Sequence, residues 1–329
     1  MFRVAYVFVA LLPLLVAPRA APAFNELGHS AIGKIAYDAL TPAQHAAIHD
    51  VLKEHPHYGE YLSAGKPAGV DTVEWVFLRA GTWSDWVRSN HRDDYHQSPW
   101  HYVNFPYRMG GPATLPAEHL PQPQNILERL PVAIAAAAGD GSTDPLGLLP
   151  TLSAPQRRAV ALTWVFHLIG DLHQPLHVVA MIDDARMPAG DQGGNLEAVV
   201  VTGTTPLKLH AYWDGVLQRP MNYAEVAAVV AELASRPPLD DGAWTSAAEV
   251  SDFKKWTEEG YRLAAQYVYL DGTLPIAPWK RAYDFQGAVA GPDVPVLSET
   301  VKANAAKIYR RQLLLGGRRL ANQLSKLFP

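Results

Sequence analysis

The chain reads as a mainly α protein, one helical domain with a short β-hairpin, and three observations predict it. Apolar residues recur three and four positions apart through most of the sequence, the spacing of one helix face. Strand signals are confined to one stretch, the β-branched and alternating Leu196 to Thr202, with Gly203-Thr204-Thr205 as its turn. No linker or change of composition divides the 329-residue chain after residue 23. The expected organisation is a signal segment over residues 1–23 and a single domain over 24–329.

Each element follows from local chemistry. Met1-Phe2-Arg3 is a short basic start, Val4 to Ala17 is apolar, and Ala21-Pro22-Ala23 offers a small-residue cleavage site. The apolar run is short for a membrane span. Export to the periplasm or the medium is expected, with cleavage between Ala23 and Phe24. His29, Ile32, Ile35, Ala36 and Leu40 form one helical stripe, which Thr41-Pro42 ends while capping a helix at about 43–53. The spacing predicts further helices near 72–88, 124–137, 155–172, 222–235, 245–270 and 297–327. Ser153 ahead of Pro155 suits a helix start. The Pro- and Gly-rich stretches 105–123 and 138–151 read as surface loops.

Composition narrows the class. With 48% hydrophobic and 18% charged residues the chain is globular. It has no cysteine, which excludes disulfides and thiolate metal sites. No Asn-x-Ser/Thr acceptor occurs either, and both absences fit a bacterial exported enzyme. The formal charge of −4 becomes −6 without residues 1–23, which carry Arg3 and Arg19 and no acid. Such a chain does not attract nucleic acid by bulk charge, so bound cations would have to offset it locally. No segment after residue 23 has the length and apolarity of a membrane helix. A monomer without stable membrane association is expected.

The chemistry concentrates in a few segments. His167 and Asp171 are four apart in HLIGDLHQPLH, so on a helix they share one face about one turn, roughly 6 Å, apart. His210 and Asp214 in HAYWD repeat that geometry, and His177 adds a fifth metal-competent side chain. One such pair is ordinary on a helix surface; two with an extra histidine form a multi-metal pattern. Upstream, Phe24-Asn25-Glu26-Leu27-Gly28-His29 ends on a histidine, Gly81-Thr82-Trp83-Ser84-Asp85-Trp86 sets Asp85 among aromatics, and Ser98 to Asn104 does the same for His101. Imidazole and carboxylate without thiolate favour a catalytic, hydrolytic zinc centre over a structural one. His45, His49, His55, His57 and His119 lie in polar or loop contexts and are expected to be exposed. His173, two beyond Asp171, points off the ligand face, which suits packing or support; His91 and His96 lie in a loop near the site.

These segments, in this order, resemble the zinc-dependent type I nucleases, the S1/P1 family of single-strand-specific nucleases and 3′-nucleotidases. By motif the resemblance runs from Phe24 to about Asp214. It implies a mainly helical fold, shared with bacterial zinc phospholipases C, and three Zn2+ ions in one cleft. One zinc would be held by Asp85, His101, His167 and Asp171. A close second would share Asp171 and take His29 with the amine and carbonyl of Phe24. The third would be held by His177, His210 and Asp214. The family usually begins Trp-Gly where this chain has Phe24-Asn25; the ligand atoms are backbone atoms, so the chemistry survives the change.

The resemblance also implies substrate contacts. Arg88 matches a basic residue that pairs the phosphate, and Asn195 an amide that hydrogen-bonds it. Tyr102 and Asn104 match positions that stack on and hydrogen-bond an unpaired base. Asp85 and Asp171 would serve catalysis through the metals. The implied reaction is hydrolysis of single-stranded DNA and RNA to 5′-phosphates, with 3′-nucleotides as further substrates and no side-chain nucleophile. Taken alone, Arg88 also fits a solvated helix charge, Asn195 a turn residue, and Trp100 core packing. Two rival readings stand beside this one. A zinc phospholipase C would want an apolar rim or an added membrane module, and none follows Leu327. A non-catalytic zinc-binding protein would want repetitive His-rich tracts, which this chain lacks.

Overall fold

A computed structural model describes residues 24–118, 123–220, 222–235, 247, 251–279 and 293–329. The expected signal segment, His119 and the first part of the 245–270 helix lie outside these residues. Helices dominate, as the periodicity predicts. The first, α1 (Glu26–Ala39), starts where Asn25 accepts from the Gly28 amide, and it is buried along most of its length. Thr41 and Gln44 close a reciprocal capping box at the head of α2 (Pro42–Lys53). Ser153 and Gln156 do the same for α7 (Ala154–Asp171), which follows α6 (Ile126–Ala138). Every residue of α7 from Ala159 onward is buried, so its apolar side chains, worth about 1.5–3 kcal/mol each when fully buried, fix the helix at the centre of the molecule.

One predicted helix is broken in two. Instead of a continuous helix over 72–88, α3 (Thr72–Ala80) ends at Gly81 and α4 (Trp83–Asn90) begins after Thr82. Helical periodicity continues through the break, so propensity alone does not reveal it. The Gly81 carbonyl is directed at His167 Nδ1, which donates to it at 2.7 Å. A single turn, α5 (Arg92–Tyr95), and a 3-10 turn, Ser98–His101, then lead to the first strand.

The expected surface loop at 105–123 contains that strand. β1 (Phe105–Arg108) pairs in parallel with β2 (Val179–Ile182), Phe105 opposite Val179 and Arg108 opposite Ile182. Pro106 marks the segment as a non-strand by local rules; its partner lies far along the chain, so only tertiary contact makes the pair. The predicted hairpin is present: β3 (Ala198–Val200) pairs antiparallel with β4 (Pro206–Lys208) across the Gly203 turn. β4 runs straight into α8 (Leu209–Asp214), placing His210 and Asp214 on one short helix.

Among the described residues three further α-helices follow: α9 (Tyr223–Ser235), α10 (Phe253–Leu263) and the long α11 (Glu299–Leu327). α11 packs chiefly along α1 and also reaches α7. No helix among the described residues is long and apolar enough to cross a membrane. Four histidines depart from their expected exposure: His55 and His57 are buried, and His45 and His49 are half-buried. His55 meets Trp83 edge-on, while His57 stacks on His91 and contacts Trp86. Their loop folds back onto α4, a contact that local polarity does not encode. Trp100 is core, tilted against Trp164 at 4.8 Å.

Candidate metal centre

Asp171, on the last turn of α7, is the hub. Its Oδ2 lies 3.0 Å from His101 Nδ1 and 3.1 Å from His167 Nε2, and its Oδ1 lies 3.3 Å from His29 Nε2. Three groupings of metal-competent atoms result: His29, His167 and Asp171; Asp85, His101 and His167; and His177, His210 and Asp214. The structure therefore gathers all eight expected side-chain ligands. Except for Asp85, which is half-buried, they are buried.

Ring geometry separates the first two groupings. His29 and His167 stack with centroids 4.2 Å apart and 16° between planes. An imidazole lone pair lies in its ring plane, so two near-parallel rings cannot both aim at one ion about 2.1 Å away. His101 and His167 meet at 84°, and their in-plane lone pairs converge. His29 and His167 therefore aim their lone pairs along separate planes, with Asp171 within reach of both. A Cβ at Gly170 would lie 2.6 Å from His29 Nδ1, so only glycine lets α1 bring His29 this close.

Backbone carbonyls set the tautomers. His167 Nδ1 donates to Gly81 O at 2.7 Å, His177 Nδ1 to His101 O at 2.6 Å, and His210 Nδ1 to Gly193 O at 2.6 Å. Each bond places the proton on Nδ1 and leaves the Nε2 lone pair for a ligand. The parallel strand pair supplies the register: Val103 N–H donates to His177 O at 2.8 Å, tying the His101 segment to the His177 segment.

The donor set fits zinc on an independent observation. His29 Nε2, Asp171 Oδ1, His177 Nε2, Asp214 Oδ2 and Asp85 Oδ1 are buried atoms without a hydrogen-bond partner. Orphans of that kind are costly unless an ion completes them. Electrostatics agrees. Burial works against the Asp171 charge, but His167, His177 and His101 outweigh it and hold the carboxyl well below its usual range. Burial would lower His167, yet Asp171 and Asp85 hold it up at about 9. Burial, then His177, pushes His210 down to about 3. Burial raises Asp214 well above a normal carboxyl, with Asp85 and Asp171 adding to it. Cations binding here would displace the protons of His167 and Asp214.

Phe24 is wholly buried, edge-on to His29 at 6.1 Å and to Tyr309 at 5.1 Å. The Asn25 amide and the Tyr309 hydroxyl both donate to Asp214 O, at 2.9 and 3.2 Å. Arg88 Nη2 lies 3.9 Å from Asp85 Oδ1. Tyr102 and Asn104 are half-buried on the segment leading to β1. Asn195 is half-buried in the loop between β2 and β3, where its amide donates to Gln192 O at 3.1 Å.

Some supporting residues escape sequence reasoning. Gln174 donates to Asp214 Oδ1 at 2.8 Å and accepts from the Leu176 amide, so it orients a ligand carboxylate. Its place inside HQPLH was its one visible signal. His173 takes the packing role, bonded to Ile169 O and to Arg319.

A fourth grouping, His57, Glu60 and His91, has suitable residue types but not suitable geometry. Its imidazoles stack at 4.2 Å with 19° between planes. Trp83 Nε1–H donates to His57 Nδ1 at 3.0 Å, so the neutral ring carries its proton on Nε2. His57 has no lone pair left to give.

The S1/P1 Nuclease family model matches residues 24–329. No curated protein matches the chain significantly. Nearly the whole chain is covered by that family, whose members are zinc-dependent phosphodiesterases. On that match, and with several His/Asp clusters able to bind metal on a mainly helical scaffold, the chain belongs to the S1/P1 nuclease family.

Proposed function

We propose that this chain is an exported endonuclease holding three Zn2+ ions, which hydrolyses single-stranded DNA and RNA to 5′-phosphate products and also acts on 3′-nucleotides. The observation that carries the reading is the set of three His/Asp groupings with orphaned, buried ligand atoms. Zinc held there supplies Lewis acidity, polarising phosphoryl oxygens and making water a nucleophile at neutral pH.

The protein's own groups do the positioning. Asp85, His101, His167 and Asp171 would hold one ion; His29, Asp171 and the Phe24 backbone would hold the second; His177, His210 and Asp214 would hold the third. Arg88, beside Asp85, pairs a non-bridging phosphate oxygen, and Asn195 hydrogen-bonds the same group. Tyr102 offers a ring face to an unpaired base, with Asn104 at its edge. In the reaction a water oxygen bonds to phosphorus as the bond to the 3′-oxygen breaks. The water proton ends on that leaving oxygen, giving a 3′-hydroxyl and a 5′-phosphate.

Cleavage between Ala23 and Phe24 belongs to the same proposal. It is supported by the family match beginning at Phe24 and by the burial of the Phe24 ring between His29 and Tyr309. The test is hydrolysis of circular single-stranded DNA, RNA and 3′-AMP by the mature protein, before and after chelation and zinc return, with phosphatidylcholine as a control. Zinc-dependent opening of the circle with 5′-phosphate ends is expected. Cleavage of the lipid alone, or 3′-phosphate ends, would overturn the reading.

A further inference from the structure

Asp191 is a wholly buried acid with no place in the chemistry above. Its Oδ1 accepts from the Met181 amide at 2.9 Å and its Oδ2 from the Tyr269 hydroxyl at 2.8 Å. The Gly193 and Gly194 amides favour the charged form of the same carboxylate against its burial. The chain turns sharply to allow this: Gln192, Gly193 and Gly194 all have positive φ, 55°, 61° and 78°. A tight turn of this kind can gather its amides toward an anion. Here the anion is the protein's own side chain.

The outer side of the loop faces the metal centre. Gly193 O accepts from His210 Nδ1 at 2.6 Å, and Gly194 O from the His210 amide at 3.2 Å. A Cβ at Gly193 would lie 2.3 Å from Leu176 O, so the loop is seated directly against the segment that carries His177. Gly193 C=O and Gly194 N–H belong to one peptide unit. In a trans peptide they point opposite ways, so with its C=O on the His210 ring this unit turns its N–H away from that ring, toward the side of the loop where Asp191 lies.

We propose that Asp191 is a positioning residue for His210, acting through the Gly193–Gly194 peptide. The carboxylate fixes that plane, and the plane fixes the tautomer and direction of the imidazole. An anion on the N–H side also polarises the carbonyl, strengthening its hold on the Nδ1 proton. This is the carboxylate–histidine–metal arrangement with a peptide inserted between acid and ring. The same loop presents Asn195, so both features of the site depend on one buried charge. The inference rests on His177, His210 and Asp214 holding a zinc ion.

The test reads zinc binding in the mature protein by competition with a graded chelator, using wild type, Asp191→Asn, His210→Ala and the double variant. His210→Ala identifies the ion concerned. Asp191→Asn is expected to weaken that ion about 10- to 100-fold and leave the others unchanged. The double variant should bind no more weakly than His210→Ala alone, because Asp191 acts through that ring. Additive losses, or equal weakening of every ion, would show a merely structural role and overturn the inference. Wild-type zinc binding by Asp191→Asn would overturn it while leaving the metal centre standing. A His210→Ala protein with undiminished zinc would overturn both. If Asp191→Asn fails to fold, Tyr269→Phe removes one donor and keeps the charge. It should weaken the same ion by a few-fold, and unchanged binding at that ion would count against the proposal.

Discussion

Glu197 shows how far one buried side chain can set the pH response. Burial, then the neighbouring Asp191 charge, pushes its carboxyl up to about 8. Oε2 accepts from the Ala277 amide at 3.1 Å, while Oε1 is buried without a partner. The folded group holds its proton where the unfolded one, at its ordinary value of 4.5, has lost it. Its stabilising contribution is therefore complete below about 4.5 and is lost as pH rises to about 8. The slope across that window is at most about 1.4 kcal/mol per pH unit. Glu197→Gln should remove it, so the variant gains on wild type in denaturant melts of metal-free protein from pH 5 to 8. Parallel curves would show that Glu197 is ionised in the fold. The sequence places Glu197 in a strand pattern, but its burial beside Asp191 comes from long-range packing.

Element-scale contacts decide where the ligands point. α1 and α7 meet where Gly170 faces His29, and a Cβ there would approach His29 Nδ1 to 2.6 Å. Gly170→Ala gains about 1 kcal/mol of helix propensity but loses about 1–3 kcal/mol to overpacking. Stability should change little or fall slightly, whereas zinc per chain, by elemental analysis, should drop by one ion. Full zinc content would show that His29 has room to move. Farther out, Arg319 on α11 is buried, bonded to both Glu259 oxygens at 2.9 and 3.0 Å and to His173 Nε2 at 2.9 Å. Glu259→Ala strands that guanidinium, and a loss of roughly 3 kcal/mol is expected in urea melts. A loss below about 1 kcal/mol would mean that the pair is solvent-screened. Helix existence was legible from period and caps at α1, α2, α7 and α11. The Gly81 break and the β1–β2 pair were not, because each is held by a partner distant in sequence.

At the scale of the whole molecule, the Phe24-Asn25 segment, the end of α8 and the long α11 converge on Asp214. If the Phe24 amine is a ligand, it must exist as a free amine and lose its proton, ordinarily with a pKa near ~8. Protein retaining Ala23 should then bind one zinc fewer and lose nuclease turnover by orders of magnitude while keeping its helical content. Full zinc and full turnover with Ala23 attached would remove Phe24 from the ligand set. The sequence by itself determined the helical class and the eight side chains able to bind metal. Residue type and a spacing of four are local properties that survive any fold. Only the tertiary structure decided that His29 and His167 stack and so aim along separate planes, that Gln174 and the Gly193 carbonyl hold Asp214 and His210, and that His57 is unavailable. Those outcomes depend on ring planes, carbonyl directions and buried lone pairs, which distant segments fix only when they pack.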